Sequence, residues 1–187
     1  MKKLVIFASG TGSNTEKIMA HFAGNNTIAV AAVFCNNPKA GVIEKAAKYR
    51  VPAYVFDRAE FANGRVLSSL QQVNPDLIVL AGFLWKVPAE IVEAFPHKII
   101  NIHPALLPKF GGKGMFGMNV HRAVTESGER ETGITIHYVD EHYDEGDVIF
   151  QAKVDVDPNE SCESVSEKVR ELELAHFPKV IESLLSK

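Results

Sequence analysis

The sequence predicts an α/β fold: a doubly wound, mostly parallel, Rossmann-like sheet with an antiparallel C-terminal extension. Three observations predict it. Through the first hundred residues, short apolar runs rich in β-branched and aromatic types alternate with stretches of helical periodicity. That is the βαβ pattern of a parallel sheet covered by helices on both faces. The last two strand-like runs alternate apolar and polar residues and lie a few residues apart, which suits an antiparallel pair. Finally, the 187 residues are 46% hydrophobic and 23% charged, the ordinary globular mix. They suffice for a single domain over residues 1–187 that buries roughly 70% of the surface its unfolded chain exposes.

Each element has its own signal. LVIFA (4–8) reads as a buried strand, followed by the loop SGTGSN (9–14). Ile18, Met19 and Phe22 then recur at helical spacing up to Gly24 and the Asn25–Asn26 turn. IAVAAVFC (28–35) is a second buried strand, 41–50 a helix and AYVF (53–56) a short strand. Residues 59–73 read as one helix with Phe61, Val66, Leu70 and Val73 inward, and LIVLAGF (77–83) as the next strand. PAEIVEAF (88–95) is a helix with proline at its first position, and KIINIH (98–103) is the fifth strand. Residues 104–119, with four Gly and two Pro, form an ordered loop, and 120–127 a helix. GITIHYVD (133–140) and VIFQAKVDV (148–156) are the antiparallel pair. A last helix spans about 161–185, with Val165, Val169, Leu172, Phe177, Val180, Ile181 and Leu184 inward. No repeat, low-complexity tract or linker interrupts this order.

Composition excludes several classes of function. Twenty Lys plus Arg against 23 Asp plus Glu leave a net charge of −3 with no basic stripe, which speaks against a nucleic-acid partner. The longest mainly apolar runs, 28–35 and 77–85, are far shorter than the roughly 20 residues that span a bilayer, so no membrane partner is expected. The start MKKLVIFASG has the opening of a signal peptide, but its apolar core is only Leu4 to Ala8 and polar residues follow at once. Cys35 and Cys162 are isolated, with no CxxC. The expectation is a reduced, cytoplasmic, enzyme-sized domain.

In such a sheet ligands bind at the carboxyl ends of the strands, so the loops there hold the candidates. Gly12, Ser13 and Asn14 lie where a strand passes into a helix, and free N–H groups at a helix N-terminus suit an anion. The same residues also make a plain Gly-rich turn with a helix cap. A dinucleotide fingerprint is absent: Thr15 stands where GxGxxG needs glycine, and Asn36-Asn37 replaces the acidic ribose partner. No GK[ST] follows either, so a single phosphate on a small substrate fits better. Asn101 and His103, two apart on a strand, share a face. Asn supplies an oxyanion donor and His moves protons near neutral pH, while a structural histidine is the alternative. The segment 137–147 holds five acids and two His. It matches neither HxxEH nor a Ca²⁺ loop, which leaves a solvated acidic loop or a carboxylate that orients a histidine. No metal site is expected. Phe83, Leu84, Trp85 and Lys86 suit a slot for a flat aromatic ligand, or core packing. With no GxSxG and no Cys/His pairing, a covalent nucleophile is not expected.

NIHPALLPKF (101–110), with VLAGF (79–83), SGTGSN and DEGDVIFQAKV (144–154), resembles the folate-dependent formyltransferases over essentially the whole chain. The resemblance implies a catalytic trio at Asn101, His103 and Asp144. It implies a substrate-phosphate loop at Gly12, Ser13 and Asn14 with Pro104 nearby, and a ribose contact at Glu173. Folate contacts would come from Arg58, from Leu84, Trp85, Lys86 and Val87, and from Asn101 and the loop Asp140, Glu141, His142, Tyr143 and Asp144. The implied reaction moves a formyl group from the co-substrate 10-formyltetrahydrofolate to the amino group of glycinamide ribonucleotide in purine synthesis. Asn101 and a cationic His103 would stabilise the oxyanion, and Asp144 would hold the histidine or a proton-relaying water. Alternatives are a formyltransferase for another small amine, such as an amino sugar nucleotide, and a non-catalytic folate-binding protein. Relatives that formylate methionyl-tRNA or hydrolyse formyltetrahydrofolate share the NIHP…LLP segment, but their extra domains have no room here. Monomer and homodimer both stay open. Leu84-Trp85-Lys86 replaces a common Met-Arg-Ile, the loop after LLPKF is longer and richer in Gly and Met than in many relatives, and Arg170 replaces a common Gln.

Overall fold

The computed structural model describes residues 1–142 and 144–186. The elements follow in the order β1 (Lys2–Ala8), α1 (Ser13–Phe22), β2 (Ile28–Cys35), α2 (Val42–Lys48), β3 (Ala53–Val55), α3 (Arg58–Ala62), α4 (Arg65–Val73), β4 (Leu77–Leu80), α5 (Ala89–Ala94), β5 (Ile99–His103), α6 (Met118–Glu126), β6 (Glu131–Tyr138), β7 (Val148–Asp155) and α7 (Cys162–Leu185). The strands form one sheet in the order β3-β2-β1-β4-β5-β6-β7. Pairing is parallel from β3 to β5 and antiparallel between β5 and β6 and between β6 and β7.

Two cores cover the sheet, and strand alternation separates them. Leu4, Ile6 and Ala8 of β1 pack with Ile18 and Phe22 of α1, Val42 of α2, Val124 of α6, and Val165, Phe177 and Ile181 of α7. Val5 and Phe7 point the other way, onto Phe61 of α3, Val66 and Leu70 of α4, and Ile91 of α5. The same alternation sorts the β5–β6 end of the sheet. Ile100, Ile102, Ile134 and Ile136 fill the first core. Asn101, His103, Thr135 and His137 therefore share the opposite face, with Asn101 facing His137 and His103 facing Thr135 in the antiparallel register.

Several boundaries differ from the sequence reading, each for a local reason. The single helix expected over 59–73 is two, because Asn63-Gly64 turns the chain with Gly64 at φ 85°. The strand expected over 77–83 ends at Leu80, as Gly82 takes φ 72°. Pro88 is the N-cap of α5, not its first residue. α6 starts at Met118 and β6 at Glu131, two residues earlier than expected in each case, and α2 covers only 42–48 of the predicted 41–50. Among the described residues, no helix is long and apolar enough to cross a membrane.

Candidate active site

Chain order reverses between β1 and β4, where the sheet leaves a crevice at its carboxyl edge. A cavity of about 650 Å³ opens there, lined by Ser9–Asn14 after β1, Leu80–Val87 after β4 and Asn101–Pro104 at the end of β5. The loop after β5, α6, the loop after β6 and α7 complete the wall with Gly112–Gly117, His121, Asp140, Asp144, Arg170 and Glu173. All three members of the expected trio line it.

Asp144 sits between two buried imidazoles. Its Oδ2 lies 3.5 Å from Nδ1 of His103 and its Oδ1 lies 3.5 Å from Nε2 of His137. A left-handed backbone, φ 56°, which Asp tolerates better than most side chains, holds it there. The backbone N–H of Gly112 donates to Oδ2 at 2.9 Å. Burial pushes the carboxyl up, but the neighbouring His137 and His103 and the Gly112 N–H together outweigh it and hold Asp144 below the usual carboxylate range. For His103 the balance falls the other way. Burial lowers its pKa more than Asp144 and the Phe110 carbonyl raise it. We therefore take Asp144 as ionised and His103 as neutral at rest, whereas the sequence suggested a cationic His103.

The hydrogen bonds fix the tautomers. Nε2 of His103 lies 2.7 Å from the Phe110 carbonyl. A carbonyl only accepts, so Nε2 carries the proton and Nδ1 presents a lone pair beside Asp144. Nδ1 of His137 donates to the Tyr138 carbonyl at 2.8 Å, and its Nε2 receives an N–H from Asn101 Nδ2 at 3.1 Å. One amide N–H of Asn101 is thereby used and the other is left for a ligand. Among the described residues, no group of three or more His, Cys, Asp or Glu is arranged to hold a metal ion.

The other end of the cavity suits an anion. α1 begins at Ser13, and among the described residues no side chain caps it at Gly12, so its first N–H groups are left for a ligand. Asn14 does not cap the helix. Its Nδ2 donates to Glu173 Oε2 at 2.8 Å, and its buried Oδ1 has no protein partner among the described residues. Burial raises the Glu173 pKa, opposed by the Asn14 bond and the Arg170 charge. Gly12 has a packing reason to be glycine. It takes φ 74°, and a Cβ there would lie 2.5 Å from Val42 Cγ2.

Residues 2–181 match the formyl transferase family. The chain belongs to that family. It is 40% identical over 175 residues to the chloroplastic phosphoribosylglycinamide formyltransferase of Arabidopsis thaliana, covering 90% of this chain and 60% of that protein. It is 36% identical over 191 residues to phosphoribosylglycinamide formyltransferase of Bacillus subtilis, covering 99% of this chain and 95% of that one. The crystal structure of glycinamide ribonucleotide transformylase 1 from Geobacillus kaustophilus superposes with a TM-score of 0.90 at 37% identity, covering 99% of each chain. The chain spans about 60% of the length of the plant relatives it matches.

In this member of the family the residues expected to meet folate divide. Leu84, Trp85, Lys86, Val87, Asp140 and His142 line the cavity, whereas Arg58 and Glu141 do not. Arg58 instead stacks over Trp85, 4.4 Å from the ring centroid, and Phe56, Phe61 and Phe83 surround the indole. Tyr143 lies outside the described residues. Three features of the site escaped the sequence reading. His137 looked like part of an acidic loop, and its role depends on pairing with β5. His121 is buried on α6 with Nδ1 unpartnered among the described residues, and its helical phase was the only signal. The Phe110 carbonyl and Gly112 N–H are backbone groups that no residue type announces.

Proposed function

We propose that this chain transfers the formyl group of 10-formyltetrahydrofolate to the amino group of glycinamide ribonucleotide. The observation that carries the proposal is one continuous cavity joining two chemistries. At one end a helix start with no side-chain cap among the described residues suits a phosphate, and Glu173 beside Asn14 suits a ribose hydroxyl. At the other, Asn101, His103 and Asp144 converge within hydrogen-bonding range of one another's partners. Pro104 lines the same cavity. Trp85 and the loop from Leu84 to Val87 offer an aromatic and peptide-lined slot for a pterin, consistent with a folate-derived donor.

The chain's own groups suggest the division of labour. The amine attacks the formyl carbon, and the negative oxygen that develops is met by the spare amide N–H of Asn101. The attacking nitrogen must lose a proton. Nδ1 of neutral His103 can accept it, because the resulting imidazolium then donates to Asp144. That proton returns to the folate nitrogen as the tetrahedral species collapses. His103 can add an N–H to the oxyanion only when the Phe110 carbonyl releases Nε2, which changes the oxyanion role first given to it. The test is to incubate the protein with both substrates and follow the products by mass. Formylated ribonucleotide in step with released tetrahydrofolate supports the proposal, and donor hydrolysis without formylated acceptor overturns it.

A further inference from the structure

Ser9 occupies the point where three ligand-side loops meet. It follows the last residue of β1, which is paired with β2 on one side and β4 on the other. Each of its polar groups reaches a different part of that junction. Its N–H donates to the Gly82 carbonyl at 3.2 Å. Its carbonyl accepts from Asn37 Nδ2 at 3.5 Å, and its Oγ accepts the Leu84 N–H at 3.0 Å. Ser9 is 8% exposed and lines the cavity. It is also the first residue of the loop that runs to Gly12, Ser13 and Asn14. A side chain of two heavy atoms thus joins the segment assigned to the phosphate with the segment assigned to the pterin. It also uses up the Leu84 N–H, so that group is not among the backbone donors offered to a pterin.

We infer that Ser9 is a positioning residue that couples the two substrate subsites. An anion that orders the 9–14 loop fixes the Ser9 backbone and hydroxyl, and through Leu84 it fixes the 82–87 loop. The donor folate then binds to a loop already ordered. By linkage the effect is reciprocal. The inference rests on the proposed function only for which ligand each loop holds. Alanine at position 9 would keep the backbone links and remove the hydroxyl link, leaving the half-buried Leu84 N–H without its acceptor.

Trp85, the only Trp in the chain, lies on the coupled loop and can report the test. The dissociation constant of a folate analogue lacking the formyl group is read from its fluorescence, with and without saturating glycinamide ribonucleotide. In the native protein the ribonucleotide should tighten folate binding by about 5-fold or more, the lower range of ordinary coupling. In Ser9→Ala that ratio should fall toward 1, and Ser9→Thr, which keeps an acceptor oxygen, should restore it. A merely structural role would lower the melting temperature and the active fraction while leaving the ratio intact. If Ser9→Ala does not fold, Ser9→Cys, similar in shape but a weak acceptor, should lose at least half of the native ratio. A native protein without coupling, or a variant lacking the hydroxyl that keeps the full ratio, overturns the inference. A native protein that makes no formylated product faults the functional proposal instead.

Discussion

At the scale of single residues, the proposed chemistry rests on how few protons lie between Asp144 and its two histidines. His103 Nε2 and His137 Nδ1 are committed to backbone carbonyls, so in the proposed mechanism the moving proton has one open place among the described residues, His103 Nδ1 beside Asp144. Asp144→Asn keeps the shape and removes the charge that would hold an imidazolium. It should lower kcat by ~10²-fold or more with little change in either KM. The pH profile supplies a separate check. Burial holds His103 below the ordinary imidazole value, and Asp144 raises it. The native acid limb should therefore lie below about 6.5, and Asp144→Asn should move it further down. An acid limb that moves up, or not at all, would remove His103 as the proton acceptor. Combining Asp144→Asn with His103→Ala should be little worse than the poorer single variant, because residues acting as one unit are not additive. Multiplying losses in steady-state kinetics would separate the two. Asn101 and His103 were legible in sequence because a strand alternates its faces and Pro104 marks its end. His137 was not, since only the register between β5 and β6 brings it opposite Asn101.

At the scale of elements, the helices and strands follow local periodicity, and the misreadings fall where a short dipeptide overrides it. Asn63-Gly64 splits the helix expected over 59–73 because glycine at φ 85° ends one turn and caps the next. Hydrophobic spacing runs on undisturbed through that break. Gly12 shows the same limit in a loop of the candidate site. Its glycine reads as room for an anion, yet the structure uses the space for Val42 of α2. Gly12→Ala is thus predicted to act on the fold. With a positive φ and a close contact, it should cost about 1–3 kcal/mol, seen as a lower urea midpoint. KM for the ribonucleotide should change little in the folded fraction. A large rise in KM with native stability would return Gly12 to the ligand side.

At the scale of the whole molecule, the parallel strands with their β1/β4 switch point bring loops far apart in sequence around one cavity, and the antiparallel pair β6 and β7 adds His137 and, from the loop between them, Asp144. The price of placing imidazoles inside is acid sensitivity. His103 and His121 are both held below the ordinary value by burial. The unfolded chain therefore binds protons first, and stability is complete above about 6.5 and declines as pH falls through their folded values. Glu160 adds a second loss at lower pH. Its carboxylate takes hydrogen bonds from Lys168, Ser164 and the Asp157 N–H and is lowered to about 2. Its contribution is present above the unfolded value of 4.5 and lost between there and about 2. Urea titrations across this range should show two successive declines, and Glu160→Gln should reduce the lower one alone. Stability that stays flat from neutrality to pH 4.5 would contradict the assignment of the buried histidines.

The measurement that bears most directly on the central claim is a competition. The native protein receives formyl-labelled 10-formyltetrahydrofolate with equal amounts of glycinamide ribonucleotide, its dephosphorylated nucleoside and an amino sugar nucleotide, and the label on each acceptor is counted by mass. An uncapped helix start beside Asn14 and Glu173, opening into the same cavity as Asn101, His103 and Asp144, predicts label on the ribonucleotide and little on the other two. Equal labelling of the nucleoside, or label on the amino sugar nucleotide with none on the ribonucleotide, would contradict it.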